Sequence, residues 1–531
     1  TSAKLDVVNF VRASKGKQAG LVELEGFIKE SPKDSQLRFA QASMYQAQGD
    51  DKAAEAVLRD IMTLAANPRD QTKAKALLAE NLLARNERQA ALALVEEILA
   101  TDQRNEQALV LKASLEIEDG QLDQAIANLR TVLRDVPDSA RAHLLLGKAH
   151  EAARAKELAG DHYARAFQAS KKAPSYGVAY AEYLLRVGQA AQAEKVLGEV
   201  LKATPNYIPA IKLLAQARIN QGDWAGAQRL ADELRRRGDD KGRLADEILG
   251  VLYANRREFD QSVEAFKRVH ASSPDEMQPI VSLVRAYMLG GKRNEALRFL
   301  DSVLKASPDN TGARLLAGQV YAASGEAEKA TAAFKQVIAK DPANPAGYLN
   351  LANLYVGARR LDDATQVIRE GLRAAPGDFG LRMALAGVDE SAGRIDDAIR
   401  QYEELLAKYP TSEIVANNLA SLLSEHRSDP ASLKRAYELA QRLQRAEFAY
   451  FKDTLGWASY KVGKFAEAVP LFESATAQMP NVPVFHYHLG MAYLARGDKD
   501  LARKELQKTL ELAAAEPFPH TERARQALEG L

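Results

Sequence analysis

The chain has 531 residues, with 72 Lys and Arg against 71 Asp and Glu, a net charge of +1, and no cysteine. That length exceeds one ordinary compact core, and the neutral balance removes the electrostatic basis for binding nucleic acid or an anionic membrane surface. The missing cysteines exclude disulfides, thiolate metal sites and a thiol nucleophile within this sequence, and no apolar stretch approaches the ~20 residues that span a bilayer.

Composition favours helix throughout, with Ala, Leu, Glu, Arg, Lys and Gln dominant and only 19 prolines and 32 glycines. The chain begins at Thr1 without Met, so a processed or trimmed N-terminus is expected, with any export signal or lipid anchor lying outside it. Amphipathic segments close at Pro32, Pro137 and Pro205, and then at Pro274, Pro308, Pro342, Pro376 and Pro410, each of the last five 34 residues apart. Pro480 falls on the same grid after one insertion. A small residue stands ten places after the proline, as at Gly147, Ala215, Gly318, Ala352, Ala386, Ala420 and Gly490, and Gly456 holds the same place in its segment. Twelve residues further comes Ala159, Ala227, Ala330, Ala364, Ala398, Ala468 or Ala502, with turns such as Gly222-Asp223, Gly393-Arg394 and Gly463-Lys464 between. Each segment therefore reads as two antiparallel helices joined by a tight turn and ended by proline. One such pair cannot bury its own apolar stripe, so the pairs must stack.

These residues resemble the tetratricopeptide repeat. Residues 449–482 carry its pattern in Leu455, Gly456, Gly463, Ala468, Phe472, Ala475 and Pro480, and residues 483–516 in Leu489, Gly490, Tyr493, Gly497 and Ala502. The resemblance implies an all-α fold: a right-handed α-solenoid superhelix of about fifteen repeats over residues 1–516. The repeats start near 1, 35, 72, 106, 140, 174, 208, 243, 277, 311, 345, 379, 413, 449 and 483, with a capping helix over residues 517–531. Longer joints are expected around Asn67-Pro68, before Pro174 and at Ser428-Asp429-Pro430.

Chemistry-bearing motifs are scarce. No GxSxG, P-loop or HExxH stretch occurs, and the eight histidines are scattered. His486 and His488 form the single tight pair, but that spacing turns them to different sides of a helix, so no metal site is expected. No catalytic residue and no cofactor is assigned. Trp224 follows a turn and reads as packing between repeats.

The resemblance places ligands on the wall formed by the first helix of each repeat, at positions near 2, 5, 9 and 12. Position 9 runs Asn9, Ser43, Glu80, Ser114, Lys148, Glu182, Gln216, Val251, Arg285, Gln319, Asn353, Gly387, Ser421, Trp457 and Met491. It is polar or small almost everywhere, then large and apolar in the last two repeats. Repeat 14 adds Tyr450, Asp453 and Tyr460, and repeat 15 adds Val484, Tyr487 and Leu494. Tyr450, Trp457, Tyr460, Tyr487 and Met491 are thus the candidate partner-binding patch, unless the terminal turn closes on itself or the cap covers the rings. The Lys-and-Asn clamp with which family members grip acidic chaperone tails is absent, since Leu5 precedes Asn9 and Leu349 precedes Asn353.

The C-terminal block also resembles bacterial repeat lipoproteins that accompany exopolysaccharide production and the PEP-CTERM surface-sorting system. That resemblance implies a protein-binding scaffold in the periplasm, held at a membrane by a lipidated residue preceding Thr1, with protein or peptide partners and no small-molecule substrate. Two alternatives stay open: a cytoplasmic assembly scaffold, and a recognition superhelix belonging to a glycosyltransferase.

Overall fold

The computed structural model describes residues 1–238, 242–514 and 518–531, and these form 31 α-helices with no strand among the described residues. The helices fall in consecutive pairs, from Ser2–Lys15 with Lys17–Glu30 to Pro483–Arg496 with Lys499–Ala513. A last helix, Thr521–Glu529, follows; residues 515–517, which the expected cap and fifteenth repeat include, lie outside the described residues. The third pair begins at Pro68, four residues ahead of the expected start, because Asn67 caps that helix through the Arg69 amide and Pro68 occupies its first turn.

Two features of the sequence produce each pair. In six repeats the closing proline is followed two residues later by a capping side chain, as where Asn310 accepts from the Ala313 amide at 2.8 Å and Asp378 from Leu381 at 2.7 Å, whereas Tyr207, Glu276 and Val482 hold that place without a side-chain cap. The first pair turns at Gly16, with φ 95° and an extended ψ of 171°, while the turn inside most others needs a left-handed residue. Glycine supplies it at Gly49, Gly120, Gly188, Gly222, Gly291, Gly325, Gly393, Gly463 and Gly497, while Asn86, Arg154, Arg257 and Arg359 adopt it with a side chain. In repeat 13 the insertion replaces this turn, and Arg427 is extended.

Helix pairs close through the small residues. A Cβ on Gly456 would lie 2.7 Å from the buried Phe472 ring, so the aromatic of the second helix rests directly on the backbone of the first. A recurring clasp sits at position 4. Arg38, Arg314 and Arg382 donate to the carbonyls of Pro32, Pro308 and Pro376, six residues back, and each also reaches a side chain 22 residues on. His143 and His486 repeat the contact with Pro137 and Pro480 at 3.0 and 2.9 Å.

The chain divides into two compact units, Thr1–Ala227 and Gln228–Leu531. In the first unit the first helices of repeats 3, 4 and 5 touch in succession, as do those of repeats 6 and 7. In the second unit the same holds for repeats 9 to 12 and for repeats 13 to 15. No two second helices make a comparable contact among the described residues. Within each unit the first helices therefore lie on the inner side of the stack.

Candidate functional site

Position 9 of the first helix faces outward from the packing in most repeats. Asn9, Ser43, Lys148, Glu182 and Gln216 are exposed in the first unit, and Val251, Arg285, Gln319, Asn353 and Ser421 in the second. Glu80, Ser114 and Gly387 are half-buried. The wall is polar, and Gln319 donates to the Asn350 side chain of the next repeat at 3.1 Å. Beside it Gln319, Asn350, Asn353 and Phe334 help to line a shallow groove of about 530 Å³.

Repeats 13 to 15 break this pattern. The first helix of repeat 14, Ala449–Lys461, has a buried outer row: Trp457 is 5% exposed, Asp453 is buried and Tyr460 half-buried. In repeat 15, Tyr487 is 2% exposed and Met491, Val484 and Leu494 are half-buried. Tyr450 alone of the five patch residues is exposed, its ring edge-on to Phe485 at 5.2 Å. The structure brings Trp457, Tyr460, Tyr487 and Met491 into one cluster and leaves Tyr450 apart. The cluster is covered rather than open.

What covers it is the C-terminal segment. Phe518 and His520 lie on Tyr487, Phe518 edge-on at 5.9 Å and His520 stacked at 4.8 Å with the rings parallel within 1°. His520 Nε2 then meets Glu425 Oε1 at 2.9 Å, on the first helix of repeat 13. Trp457 Nε1–H donates to the other oxygen, Glu425 Oε2, at 3.2 Å. The indole also stacks on Tyr460 at 4.7 Å and on His488 at 3.9 Å, and the Lys461 ammonium lies 4.9 Å from its centroid.

Electrostatics explain why a carboxylate tolerates this place. Burial works against the Glu425 charge, but the His520 hydrogen bond and the electrostatic influence of His488, His520 and Lys461 outweigh it and lower its carboxyl to about 2. Burial pushes the Asp453 carboxyl upward, only partly opposed by His488, whose Nδ1 lies 2.9 Å from it. Burial also raises the Tyr460 and Tyr487 hydroxyls and lowers the Lys461 ammonium.

His486 and His488 go to different partners. His486 Nδ1 meets Glu505 at 2.6 Å, while His488 turns to Asp453. The histidines are not all scattered, however. His143, His150 and His162 meet inside repeat 5, with His143 Nδ1 and His162 Nδ1 3.0 Å apart and His150 stacked on His162 at 5.4 Å. No group of His, Asp or Glu with metal-binding geometry occurs among the described residues. Trp224 is half-buried at the first residue of its helix.

Sequence reasoning missed Glu425 and His520. Glu425 lies 13 residues into repeat 13, one place after the last wall position, and His520 lies outside the period. The repeat-5 histidines carried a usable signal, since His143 and His162 occupy the same two register positions as the His486–Glu505 pair.

Stacked helix pairs with an exposed inner row define a helical-repeat solenoid, a class whose chemistry lies in extended surfaces. Family models for tetratricopeptide repeats match residues 291–334, 321–388 and 460–517, residues 212–276, and residues 382–412. A further model, the cytochrome c-type biogenesis protein H TPR domain, matches residues 127–237. The chain belongs to the tetratricopeptide-repeat superfamily.

Among solved structures it is similar to the APC/C hetero-tetramer Cut9-Hcn1, at 15% identity over 94% of this chain and 97% of that one, TM-score 0.40. It is also similar to Naa15/Naa10 bound to HypK-THB, at 12% identity over 100% and 99%, TM-score 0.38. Yeast Tom70 matches at 14% identity over 80% and 95%, TM-score 0.35. No curated protein matches the chain by sequence.

Proposed function

We propose that this chain is a non-enzymatic scaffold that holds protein partners against the inner wall of its repeats, in bacterial exopolysaccharide production, export or surface-protein sorting. The observation that carries the scaffold reading is the exposed position-9 row, which offers polar side chains from successive repeats at one spacing. Such a row suits an extended or helical segment crossing several repeats. The cell-envelope setting, with a periplasmic location and an anchor outside this sequence, rests on the likeness of the C-terminal block to repeat lipoproteins.

A second setting draws on a separate observation. The match of residues 127–237 to the cytochrome c-type biogenesis domain supports an assembly role in that process. A cytoplasmic scaffold without an envelope role is the third.

The test is site-specific photo-crosslinking in the native organism. A photoreactive residue at Gln319 or Asn353 should trap a discrete partner, and one on a second helix, at Lys335, should not. Equal trapping at all three sites would refute a wall-specific scaffold. Fractionation of the same cells decides the setting: recovery with the periplasm or a membrane supports the envelope, and recovery with the cytosol overturns it.

A further inference from the structure

The wall that is open in most repeats is closed over repeats 13 to 15 by the chain itself. Thr521–Glu529 packs through Ala524, with Ala527, Leu528 and Leu531, into the cluster of the last two repeats. Ahead of it, Phe518 and His520 continue across the inner wall to Tyr487 of repeat 15 and Glu425 of repeat 13. The helix serves as a cap, but these two side chains do more than cap, because they reach a residue two repeats away.

The pocket they fill has a definite chemistry. One wall is the flat face of Tyr487, onto which a planar group stacks. Its end is Glu425, held as a carboxylate and fixed by Trp457 through its second oxygen. The planar group must therefore carry an N–H donor and, for the strongest bond, a positive charge. A second aromatic fits edge-on against Tyr487, as Phe518 does. The pocket selects an aromatic side chain followed two residues later by an imidazolium or guanidinium.

We infer that Glu425, Trp457 and Tyr487 form a peptide-binding pocket, that Phe518 and His520 occupy it as an internal ligand, and that a partner protein's segment bearing an aromatic and a planar cation two residues apart displaces them. This inference rests on the scaffold reading and names the ligand class of its C-terminal patch. The internal ligand sets a threshold, since a partner must outcompete a group that is always present at high effective concentration. Phe518 and His520 lie just ahead of the helix that caps the core and are tied to its first turn, since the Phe518 carbonyl accepts from Thr521 and the His520 carbonyl from the Ala524 amide, so their displacement opens that turn with them.

The experiment uses the full chain and a labelled synthetic peptide, PFPHTERARQALEGL, the sequence of residues 517–531. The double variant Phe518→Ala/His520→Ala should bind it at least tenfold tighter than the unaltered chain, and adding Glu425→Gln should abolish that gain. A peptide with alanine at both places should bind neither chain. Equal, measurable binding to the unaltered and double-variant chains overturns the internal ligand and leaves a binding pocket standing. No binding to either, with helicity and melting retained, overturns the pocket itself. A chain-concentration-dependent dimer that exchanges these segments overturns the partner assignment in favour of a second copy. If the double variant melts early, hydrogen exchange on the unaltered chain decides. Excess peptide should raise exchange near His520 and leave the first helix of repeat 14 unchanged, and no change refutes displacement.

Discussion

The Trp457 indole donates to Glu425, 32 residues earlier in the chain, at 3.2 Å, and so ties repeat 14 to repeat 13 across the inner wall. The same ring is 5% exposed and packed against Tyr460, Tyr487 and His488. A residue in that setting is part of a core whatever else it contacts. Trp457→Ala should destabilise the C-terminal repeats by about 3–5 kcal/mol, the usual result of emptying a buried tryptophan site. Trp457→Phe should restore most of that and leave Glu425 short of one donor. Hydrogen exchange resolved by repeat is the measurement, because a repeat array need not unfold in one step. Unchanged protection of the helix Ala449–Lys461 in the alanine variant would show that the ring is not structural.

That result bears on how much the sequence could tell. Positions 8, 20 and 24 were legible because the contacts they make, such as Gly456 on Phe472, lie within one repeat and recur in others, as with Gly147 on Tyr163, Gly250 on Phe266 and Gly318 on Phe334. The wall register was legible for the same reason, and Gln319, Asn353 and Ser421 are exposed as that register implies. In the sequence, cover of Trp457 by the cap is only an alternative to an open patch, and the closure itself was not legible residue by residue. It depends on His520 returning to a residue 95 positions earlier, through a segment that has no period. The same periodic logic explains the misreading of the histidines. His143 and His162 are unremarkable one by one, and only their register positions bring them together.

Those histidines give the chain a pH response in repeat 5. The Pro137 carbonyl can only accept, so His143 donates from Nε2, and its Nδ1 must accept from His162 Nδ1–H. Burial lowers His143 and His150 below their ordinary range, and burial together with both neighbours lowers His162 from 6.5 to about 4. Each is therefore neutral in the fold and takes up protons more readily when unfolded. Stability is full above about pH 6.5 and is lost as pH falls towards 4. Exchange protection of residues 140–169 should fall more steeply between pH 7 and 5 than that of residues 345–374, which contain no histidine. His162→Gln should flatten the difference, and an unaltered slope in that variant would remove these rings as the cause.

The position-4 clasp predicts a contrast between two arginines of neighbouring repeats. Arg382 Nε and Nη2 donate to the Pro376 carbonyl at 3.1 and 2.9 Å, and Nη1 reaches Glu404 at 3.3 Å. Arg373 is 76% exposed and makes one 4.0 Å pair with Glu370. Arg382→Ala leaves a turn carbonyl without its donor and should cost about 1 kcal/mol, whereas Arg373→Ala should fall within about 0.5 kcal/mol of the parent. Urea titrations of the two variants in parallel check this, and equal midpoints would mean that the clasp contributes nothing.

The turn position offers a gain rather than a loss. Arg359 holds φ 61° at the place where Gly325 and Gly393 stand in the adjacent repeats, at φ 76° and 73°. A side chain in that conformation crowds its own carbonyl, and the penalty is about 1 kcal/mol. Glycine escapes it, although it also loosens the unfolded chain and so returns part of the benefit. The neighbouring Arg360, which pairs with Asp363 and lies over Tyr355, keeps its contacts because the backbone path is unchanged. Arg359→Gly should therefore stabilise repeat 11 by a net few tenths to about 1 kcal/mol. Slower exchange in the helices Pro345–Gly357 and Leu361–Ala374 is the expected reading. Faster exchange there would mean that the arginine side chain contributes more than its backbone strain removes.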